Sequence, residues 1–403
     1  MLGTTSKLLM ILFLFVVIGC TQSKQVDETT DLNKKITAQF IAESFLAQHP
    51  GGVTHDKYMT KEDWNYEQGL MLEALYQMYR KTGDEKYFDF MKANMDLFVD
   101  DDGKIRTYEF DTFNIDNIPP GRALLVLYQK TKNEKYKKAA DTLRKQLAQH
   151  PKTKSNGFWH KKIYPNQIWL DGLYMGQPFY AEYSNLFNQS KDLDHVLHHF
   201  ELIDQKAWNP TAKLHYHAWD ESKKMPWANP ETGTSPNFWS RAIGWYCMAI
   251  VDVLDFIPEN HPKRDFLIKL LNRISEGLLQ YQDAESKMWR QVTDQGKREG
   301  NYLETSASAM FAYTFAKGAR KGYLDKKYLA IAKDIHAGII NTYVKLDENG
   351  YLELNGTCRS AGLGGKPYRD GSYEYYISEP FRINDFKGYG PFLLTAIELE
   401  LAN

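Results

Sequence analysis

The sequence predicts an all-α fold, an (α/α)6 toroid, in which six helical hairpins form an inner ring of helices wrapped by an outer ring. Helical periodicity runs through almost the whole chain, and an alternating strand pattern is nearly absent. Two kinds of helix alternate along the sequence, one polar with a narrow apolar stripe and one apolar on nearly all sides. Because a single hairpin cannot bury its own apolar face, about six hairpins in succession favour a closed ring.

The outer helices are predicted from the narrow apolar stripes of residues 84–98 and 134–149. The starts of these helices repeat, since residues 83–87, 132–136 and 324–328 are variants of one helix opening. The repeat indicates copies of one structural unit.

The inner helices are predicted from segments that are apolar nearly all round, which places them in the interior. These segments are residues 69–78, 121–128, 172–183, 238–256, 306–316 and 388–401.

The N-terminal residues predict an export signal with a lipid anchor. Lys7 is followed by an apolar run over residues 8–18, which is too short for a membrane-spanning helix. Residues 16–20, Val-Val-Ile-Gly-Cys, resemble a bacterial lipobox, in which the cysteine, here Cys20, is lipidated and becomes the mature N-terminus. An ordinary cleaved signal peptide with an incidental cysteine is the alternative. We expect an exported lipoprotein that faces the periplasm or the cell surface.

The rest of the chain is predicted to form one domain. Residues 1–20 would be the signal, residues 21–33 a polar tether and residues 34–403 the helical, catalytic domain. Length alone would suggest more than one domain, but no linker rich in Pro, Gly or Ser divides the helical pattern.

Composition and motifs exclude several classes of function. With 50 basic and 51 acidic residues the net charge is −1, so no overall field attracts nucleic acid, and the lipid is the only predicted contact with a membrane. No nucleophile elbow, phosphate-binding loop or dinucleotide fingerprint occurs. The histidines and the cysteines Cys247 and Cys358 lack the spacing of a metal site, so neither a metal nor a cofactor is predicted.

The links between helices indicate where a site lies. Links from inner to outer helices are short, whereas links from outer to inner helices are long and carry dense clusters of Trp, Tyr, His, Asp and Arg. Long ordered loops in a compact domain are usually functional, so we expect the inner helices to begin at the floor of a cleft. The long links are residues 99–118, 150–170, 209–237, 282–301 and 345–387.

Two carboxylates precede neighbouring inner helices and are expected to face this cleft. Asp171 lies among apolar and aromatic residues, which raise a carboxyl pKa and would let Asp171 keep a proton to donate. Asp116 could couple to it and stay ionised. The alternatives are an N-cap role for Asp171 and an Asx-turn or cap before Pro119 and Pro120 for Asp116.

Further side chains of the same clusters are candidates for binding a ligand. Some are cations or imidazoles that could hold a ligand carboxylate, namely Arg122, Arg241, His160, Lys161 and His217. Others are aromatic rings that could stack on a sugar, namely Trp64, Tyr66, Trp169, Trp239 and Trp245. Packing in the core or in the wall of the cleft is the alternative for at least half of these aromatic residues.

Several runs of sequence resemble one enzyme family over nearly the whole mature chain. The runs are HKKIYPNQIWLDGLYMGQPF at 160–179, DWNYEQG at 63–69, Asp116 with Gly121-Arg122, YHAWD at 216–220, FWSRAIGWY at 238–246 and DFKGYGPFLL at 385–394. Together they resemble the unsaturated rhamnogalacturonyl hydrolases, glycoside hydrolase family 105. One departure is Ala242-Ile243, where Gly-Asn is expected in many relatives.

The resemblance implies an (α/α)6 fold and a hydrolase that removes a terminal 4,5-unsaturated uronic acid from oligosaccharides left by a polysaccharide lyase. It implies that Asp171 is the general acid/base, which protonates C4 of the double bond and then activates water for attack at C5. Asp116 would be the second acidic residue. The positions implied to bind substrate are His160, His217, Arg241 and Trp245.

The predicted substrates are rhamnogalacturonan fragments, and two alternatives stay open. One is an unsaturated glucuronyl hydrolase acting on arabinogalactan or glycosaminoglycan fragments, because the double bond erases the C4 configuration. The other is a non-catalytic glycan-binding lipoprotein, against which the presence of both carboxylates speaks. The segment 345–387 is expected to shape the aglycone side of the cleft.

Overall fold

The computed structural model describes residues 32–53 and 62–402. The predicted signal with Cys20 lies outside the described residues, as does most of the predicted tether. Within the described part, no helix is both long and apolar enough to cross a bilayer.

The described chain folds into two concentric rings of helices, which confirms the predicted toroid. The inner ring runs in the order α2, α4, α6, α8, α10 and α13, and α13 packs against α2 to close it. The main helices are α1 (Ala38–Gln48), α2 (Tyr66–Thr82), α3 (Glu85–Asp96), α4 (Gly121–Thr131), α5 (Glu134–Gln149), α6 (Gly172–Leu186), α7 (Asp192–Ala207), α8 (Ser240–Val253), α9 (Arg264–Leu279), α10 (Thr305–Arg320), α11 (Lys327–Tyr343), α12 (Tyr373–Ser378) and α13 (Phe386–Leu401).

The repeated helix opening has one structural cause at all three positions. A side-chain oxygen accepts a hydrogen bond from the backbone N–H two residues later, which satisfies a donor that the first turn leaves unpaired. The tyrosine three residues after each accepting residue is buried under the outer helix. The accepting residues are Asp84, Asn133 and Asp325, and the tyrosines are Tyr87, Tyr136 and Tyr328.

The inner helices approach one another closely because small residues stand at their contacts. A Cβ on Gly69 of α2 would lie 2.6 Å from the backbone carbon of Pro119, just before α4. Any larger residue would push these two inner helices apart, so Gly69 is required by packing rather than by chemistry.

Short strands occur in the long links or directly beside them, and the sequence did not predict them. The strands are β1 (Gln167–Trp169), β2 (Trp208–Asn209), β3 (Leu214–His215), β4 (Ala218–Asp220), β5 (Trp289–Arg290), β6 (Leu303–Glu304), β7 (Val344–Leu346), β8 (Leu352–Leu354), β9 (Thr357–Cys358) and β10 (Phe381–Arg382). They form antiparallel pairs, β1 with β4, β2 with β3, β5 with β6, β7 with β8, and β9 with β10. The pairing of β1 with β4 joins the third and fourth hairpins at the end where the inner helices begin.

Candidate active site

The β1–β4 pair brings Asp171 and His217 together. Trp169 is paired with Ala218, and the N–H of Leu170 donates to the carbonyl of His217 at 2.8 Å. His217 is completely buried, and its Nε2 lies 3.6 Å from Oδ1 of Asp171. Non-local strand pairing therefore positions the imidazole against the carboxylate.

Asp171 stands at the N-cap position of α6 without acting as a cap. Its side chain accepts no hydrogen bond from the helix, whereas its backbone carbonyl accepts from the N–H groups of Tyr174 and Met175. Its Oδ1 is buried and has no hydrogen-bond partner among the described residues. The capping alternative is therefore wrong, and the carboxylate is free for chemistry.

Asp116 is also not used as a cap. It lies in the short 3-10 turn Ile115–Asn117, where Asn114 makes the Asx-turn by accepting from the N–H of Asp116. Its carboxylate instead contacts two side chains, with Oδ2 2.6 Å from Nζ of Lys161 and Oδ1 3.4 Å from Nε2 of His160. Lys161 thus neutralises Asp116 and is not an independent cation for a ligand.

His160 connects the two carboxylates. Its ring stacks on Trp169 with centroids 4.4 Å apart, and a Cβ on Gly172 would lie only 2.9 Å from its Nδ1. Burial lowers the pKa of His160 although Asp116 and Asp171 both favour its charged form. Burial likewise lowers the pKa of His217. Both imidazoles are therefore uncharged at neutral pH.

The pKa of Asp171 differs from the sequence-based expectation. Burial alone would raise it, but His160 and the contact with His217 outweigh burial and hold the pKa of Asp171 below its ordinary value. The expected raised pKa is therefore wrong for the protein without substrate, in which Asp171 is a carboxylate. The sequence missed this because neither histidine adjoins Asp171 along the chain.

Arg241 lies in the wall of the cleft at the start of α8. It is buried, its Nη1 donates to the carbonyl of Cys358, and its guanidinium lies 4.8 Å from the ring centroid of Trp239. The Glu304 carboxylate is 3.8 Å from Nη1, and Nε has no partner among the described residues. Arg241 therefore keeps hydrogen-bonding capacity in a buried position, as a binding residue does.

Two of the candidate tryptophans flank His217. Trp169 contacts its ring edge-on with centroids 5.6 Å apart, and the Trp239 centroid lies at 4.7 Å. Their indole N–H groups donate to Gln167 and Gln291. Both rings are nearly completely buried, so they form the wall of the cleft rather than an open platform.

The remaining aromatic candidates divide into two groups. Trp245 lies 6.1 Å from the Tyr66 ring and 4.6 Å from Tyr174, so Trp245 and Tyr66 pack together under the cleft. Trp64 is completely buried, and its indole N–H donates to the carbonyl of Asn117. The prediction that Trp64 stacks on a sugar is therefore wrong, because the ring is part of the core.

The structure also does not bring Arg122 to this group. Its guanidinium contacts three carboxylates, Glu182 at 2.9 Å, Asp252 at 3.0 Å and Glu73 at 3.3 Å. Because Glu182 and Asp252 belong to the last turns of α6 and α8, this cluster lies away from the starts of those helices. Its bonding capacity is already used, so Arg122 as a substrate-binding residue is a wrong prediction.

Sequence reasoning missed a buried ionic cluster beside the site. Lys387 contacts Glu67 at 2.6 Å and Asp385 at 2.8 Å, and the hydroxyl of Tyr66 donates to Glu67 at 3.3 Å. The cluster ties the start of α13 to the start of α2 and holds Tyr66. The runs DWNYEQG and DFKGYGPFLL contain these residues, but no local pattern signals that the two runs meet.

Comparison with known proteins assigns the chain to a class of enzymes. A sequence model described as Glycosyl Hydrolase Family 88 matches residues 37–402. The protein is therefore a glycoside hydrolase of the unsaturated glycuronyl hydrolases, the group that comprises families 88 and 105.

Within that group, the chain belongs to glycoside hydrolase family 105. A solved family 105 structure from C. acetobutylicum ATCC 824 is 46% identical, with a TM-score of 0.87 over 91% of this chain and 99% of that one. The Agrobacterium fabrum protein Atu3128 is 38% identical over 230 residues, 56% of this chain and 97% of its own. The unsaturated rhamnogalacturonyl hydrolase YesR of Bacillus subtilis strain 168 is 24% identical over 276 residues, 66% of this chain and 75% of its own.

Proposed function

We propose that this protein is an exo-acting hydrolase that removes a terminal 4,5-unsaturated uronic acid from lyase-generated oligosaccharides of rhamnogalacturonan. The observation that carries the proposal is the Asp171 carboxylate, which is partly buried, caps no helix and has only a histidine against its solvent-excluded Oδ1. A protein that only bound glycans would have no need of such a group. The likeness to YesR supports rhamnogalacturonan as the source of the substrate.

Asp171 carries both proton transfers of the reaction. Protonated Asp171 gives its proton to C4, the π electrons of the C4=C5 bond form the new C4–H bond, and the ring oxygen stabilises the cation at C5. The Asp171 carboxylate then accepts a proton from water, whose oxygen bonds to C5. The resulting hemiketal opens by cleavage of its ring C–O bond to a ketone, and the hemiacetal left at C1 releases the aglycone as an alcohol.

The substrate itself supplies the charge that protonates Asp171. The unsaturated sugar carries a carboxylate on C5, next to the carbon that takes the proton. A second negative charge next to Asp171 opposes the pKa-lowering effect of His160 and His217 and raises the pKa of Asp171. Substrate binding therefore favours the protonated form of Asp171, which can act as the general acid.

Asp116 acts by position rather than by proton transfer. Its Oδ2 is held by Lys161, and its other oxygen, buried and 3.4 Å from Nε2 of His160, has no hydrogen-bond partner among the described residues. That oxygen can accept a hydrogen bond from a sugar hydroxyl. Since one residue serves as both acid and base, the spacing logic of paired catalytic carboxylates does not apply.

The test is loss of the ultraviolet absorbance of the conjugated double bond. The purified protein is mixed separately with unsaturated disaccharides from rhamnogalacturonan, arabinogalactan and glycosaminoglycan lyase digests. Decay with the rhamnogalacturonan product is expected to be fastest. Loss of absorbance with another disaccharide alone would favour the glucuronyl alternative. A folded protein that leaves the absorbance of all three disaccharides unchanged would contradict the proposal.

We also propose that the enzyme is anchored by a lipid on Cys20, and the lipobox-like residues 16–20 support this. In a bacterial host the wild-type protein is expected in the detergent phase after extraction, and a Cys20→Ser variant in the aqueous phase. An aqueous wild-type protein would indicate an ordinary signal peptide.

A further inference from the structure

One guanidinium at the cleft has no carboxylate partner. Within the described part of the chain, no Asp or Glu oxygen lies within ion-pair distance of Arg369, which belongs to the long segment 345–387. Arg122, by contrast, contacts three carboxylates. Arg369 is half-buried, so its positive charge is only partly solvated and is available to an anion.

The protein fixes the orientation of this guanidinium. Nε donates to the carbonyl of Gly364 at 2.9 Å, while Nη2 donates to the hydroxyl of Tyr164 at 2.9 Å and to the carbonyl of Leu363 at 3.2 Å. Gly362 makes room for it, because a Cβ there would lie 2.4 Å from Nη1. The donors of Nη1 remain without a described partner, so a ligand would meet an arginine that loses little conformational entropy on binding.

Arg369 lies one aromatic ring away from the catalytic pair. Its Cζ is 5.8 Å from the ring centroid of Trp169, and that ring contacts both His160 and His217. Tyr164, which holds Arg369, stacks on the same tryptophan with centroids 4.8 Å apart. The Trp169 ring therefore separates Arg369 from His160 and His217, so a group bound by Arg369 belongs to the aglycone rather than to the sugar at Asp171.

We propose that Arg369 binds an oxyanion, a carboxylate or a sulfate ester, on the aglycone of the substrate. The inference rests on the proposed function and adds a preference for oligosaccharides that carry a second acidic group. Nη1 would donate a charge-assisted hydrogen bond to that group, which is about twice as strong as a bond between neutral partners. The carboxylate of the unsaturated sugar is a different group, because it sits on C5 at the reacting double bond, close to Asp171.

The test compares three substrates with the same unsaturated terminal sugar and a neutral, a carboxylated or a sulfated aglycone. Arg369→Gln is expected to lower kcat/KM about tenfold or more on an acidic substrate and less than about twofold on the neutral one. The loss should lie in KM, since this contact is the same in the ground state and the transition state. The acidic substrate that suffers the larger loss identifies the oxyanion.

The control is Lys366→Gln, which makes the same change in net charge at an exposed position of the same segment. It should change none of the three kcat/KM values by more than about twofold. Equal losses in both variants would indicate a general field and overturn the inference. Equal losses of Arg369→Gln on all three substrates would indicate a structural role or a contact with the terminal sugar, and would also overturn it.

Two further measurements keep the inference separable from folding and from the proposed function. If the Arg369→Gln variant unfolds at a lower temperature than the wild type, it is replaced by Arg369→Lys and by the salt dependence of KM in the wild type. KM for the acidic substrate alone should rise with salt concentration. A salt-independent KM would contradict the proposal. Wild-type turnover of all three substrates at equal kcat/KM overturns only the role of Arg369, whereas no turnover of any unsaturated substrate overturns the proposed function as well.

Discussion

Two groups of charged side chains in the same ring differ in how completely their charges are paired. Around Arg122 every formal charge has an opposite neighbour, and Lys317 adds contacts to Asp252 and Asp255 at 2.7 and 2.9 Å. In the cleft, buried atoms of Asp171, Asp116, His160, His217 and Arg241 lack partners among the described residues.

The difference indicates what each group is for. An unpaired buried polar atom costs free energy, and a ligand that pairs with it on binding recovers that cost. The paired cluster around Arg122 holds α2, α4, α6 and α8 together, whereas the cleft gives up stability for binding capacity. We therefore expect substitutions in the first region to change stability and substitutions in the second to change turnover.

The largest effect on stability is expected from Arg122→Met. The change leaves three carboxylates without their shared cation and should lower the free energy of unfolding by about 3–5 kcal/mol. Denaturant unfolding measures it, with Arg106→Met as the control, since the Arg106 to Glu62 pair is largely exposed and should be worth less than about 1 kcal/mol. An Arg122→Met variant as stable as the wild type would contradict the conclusion that the paired charges around Arg122 stabilise the fold.

Glu182 should make the stability of this paired region depend on pH. Burial raises the pKa of Glu182 to about 7. The native state therefore binds more protons than the unfolded state between the ordinary carboxyl pKa and neutrality, so stability is lost as the pH rises through that window. Over this pH window the Glu182→Gln variant should lose roughly 2–3 kcal/mol less free energy of unfolding than the wild type.

Unfolding curves recorded from pH 5 to pH 8 measure this effect, and Glu259→Gln is the exposed control. Parallel pH profiles for the wild type and Glu182→Gln would show that Glu182 stays ionised throughout.

In the cleft, the pH profiles of kcat and kcat/KM should separate. The falling limb of kcat/KM follows Asp171 in the free enzyme, whose pKa is held low by His160 and His217. The falling limb of kcat follows the enzyme–substrate complex, where the substrate carboxylate raises the pKa. We expect the kcat limb to lie at least about one pH unit higher, which corresponds to about 1.4 kcal/mol. Coincident limbs would contradict protonation by the substrate's charge.

The smallest effect is expected from Tyr376→Phe. The Tyr376 hydroxyl lies 2.6 Å from Nδ1 of His217 and helps decide which ring nitrogen faces Asp171 with a proton. Its loss should lower kcat about tenfold and stability by about 1 kcal/mol. Tyr375→Phe is the neighbouring control, since that hydroxyl instead accepts from the N–H of Gly362. Equal kcat values in both variants would show that the Tyr376 hydroxyl does not orient His217 for the reaction.

The fold was accessible to sequence reasoning because helix periodicity and helix openings are local. The predicted segment 134–149 is the observed α5, and the predicted 121–128 differs from α4 only at its end. The two carboxylates could be found because each directly precedes an inner helix.

What the sequence could not supply depends on contacts between distant parts of the chain. Arg122 closely follows Asp116 in the sequence, but its side chain points into the ring of helices. Trp64 closely precedes Tyr66, but its ring is part of the core. The direction of the Asp171 pKa shift depends on His160 and on His217, which strand pairing brings to Asp171, and Lys387 meets Glu67 across 320 positions. No local pattern encodes these approaches.

The most direct measurement of the central claim compares turnover and binding in Asp171→Asn. The variant keeps the shape of the side chain but can neither donate nor accept the proton, so kcat should fall about 10³-fold. Calorimetry should show the unsaturated disaccharide bound within a few-fold of the wild-type affinity, and the melting temperature should not fall. An Asp171→Asn enzyme that still removes the double bond at close to the wild-type rate would contradict the account.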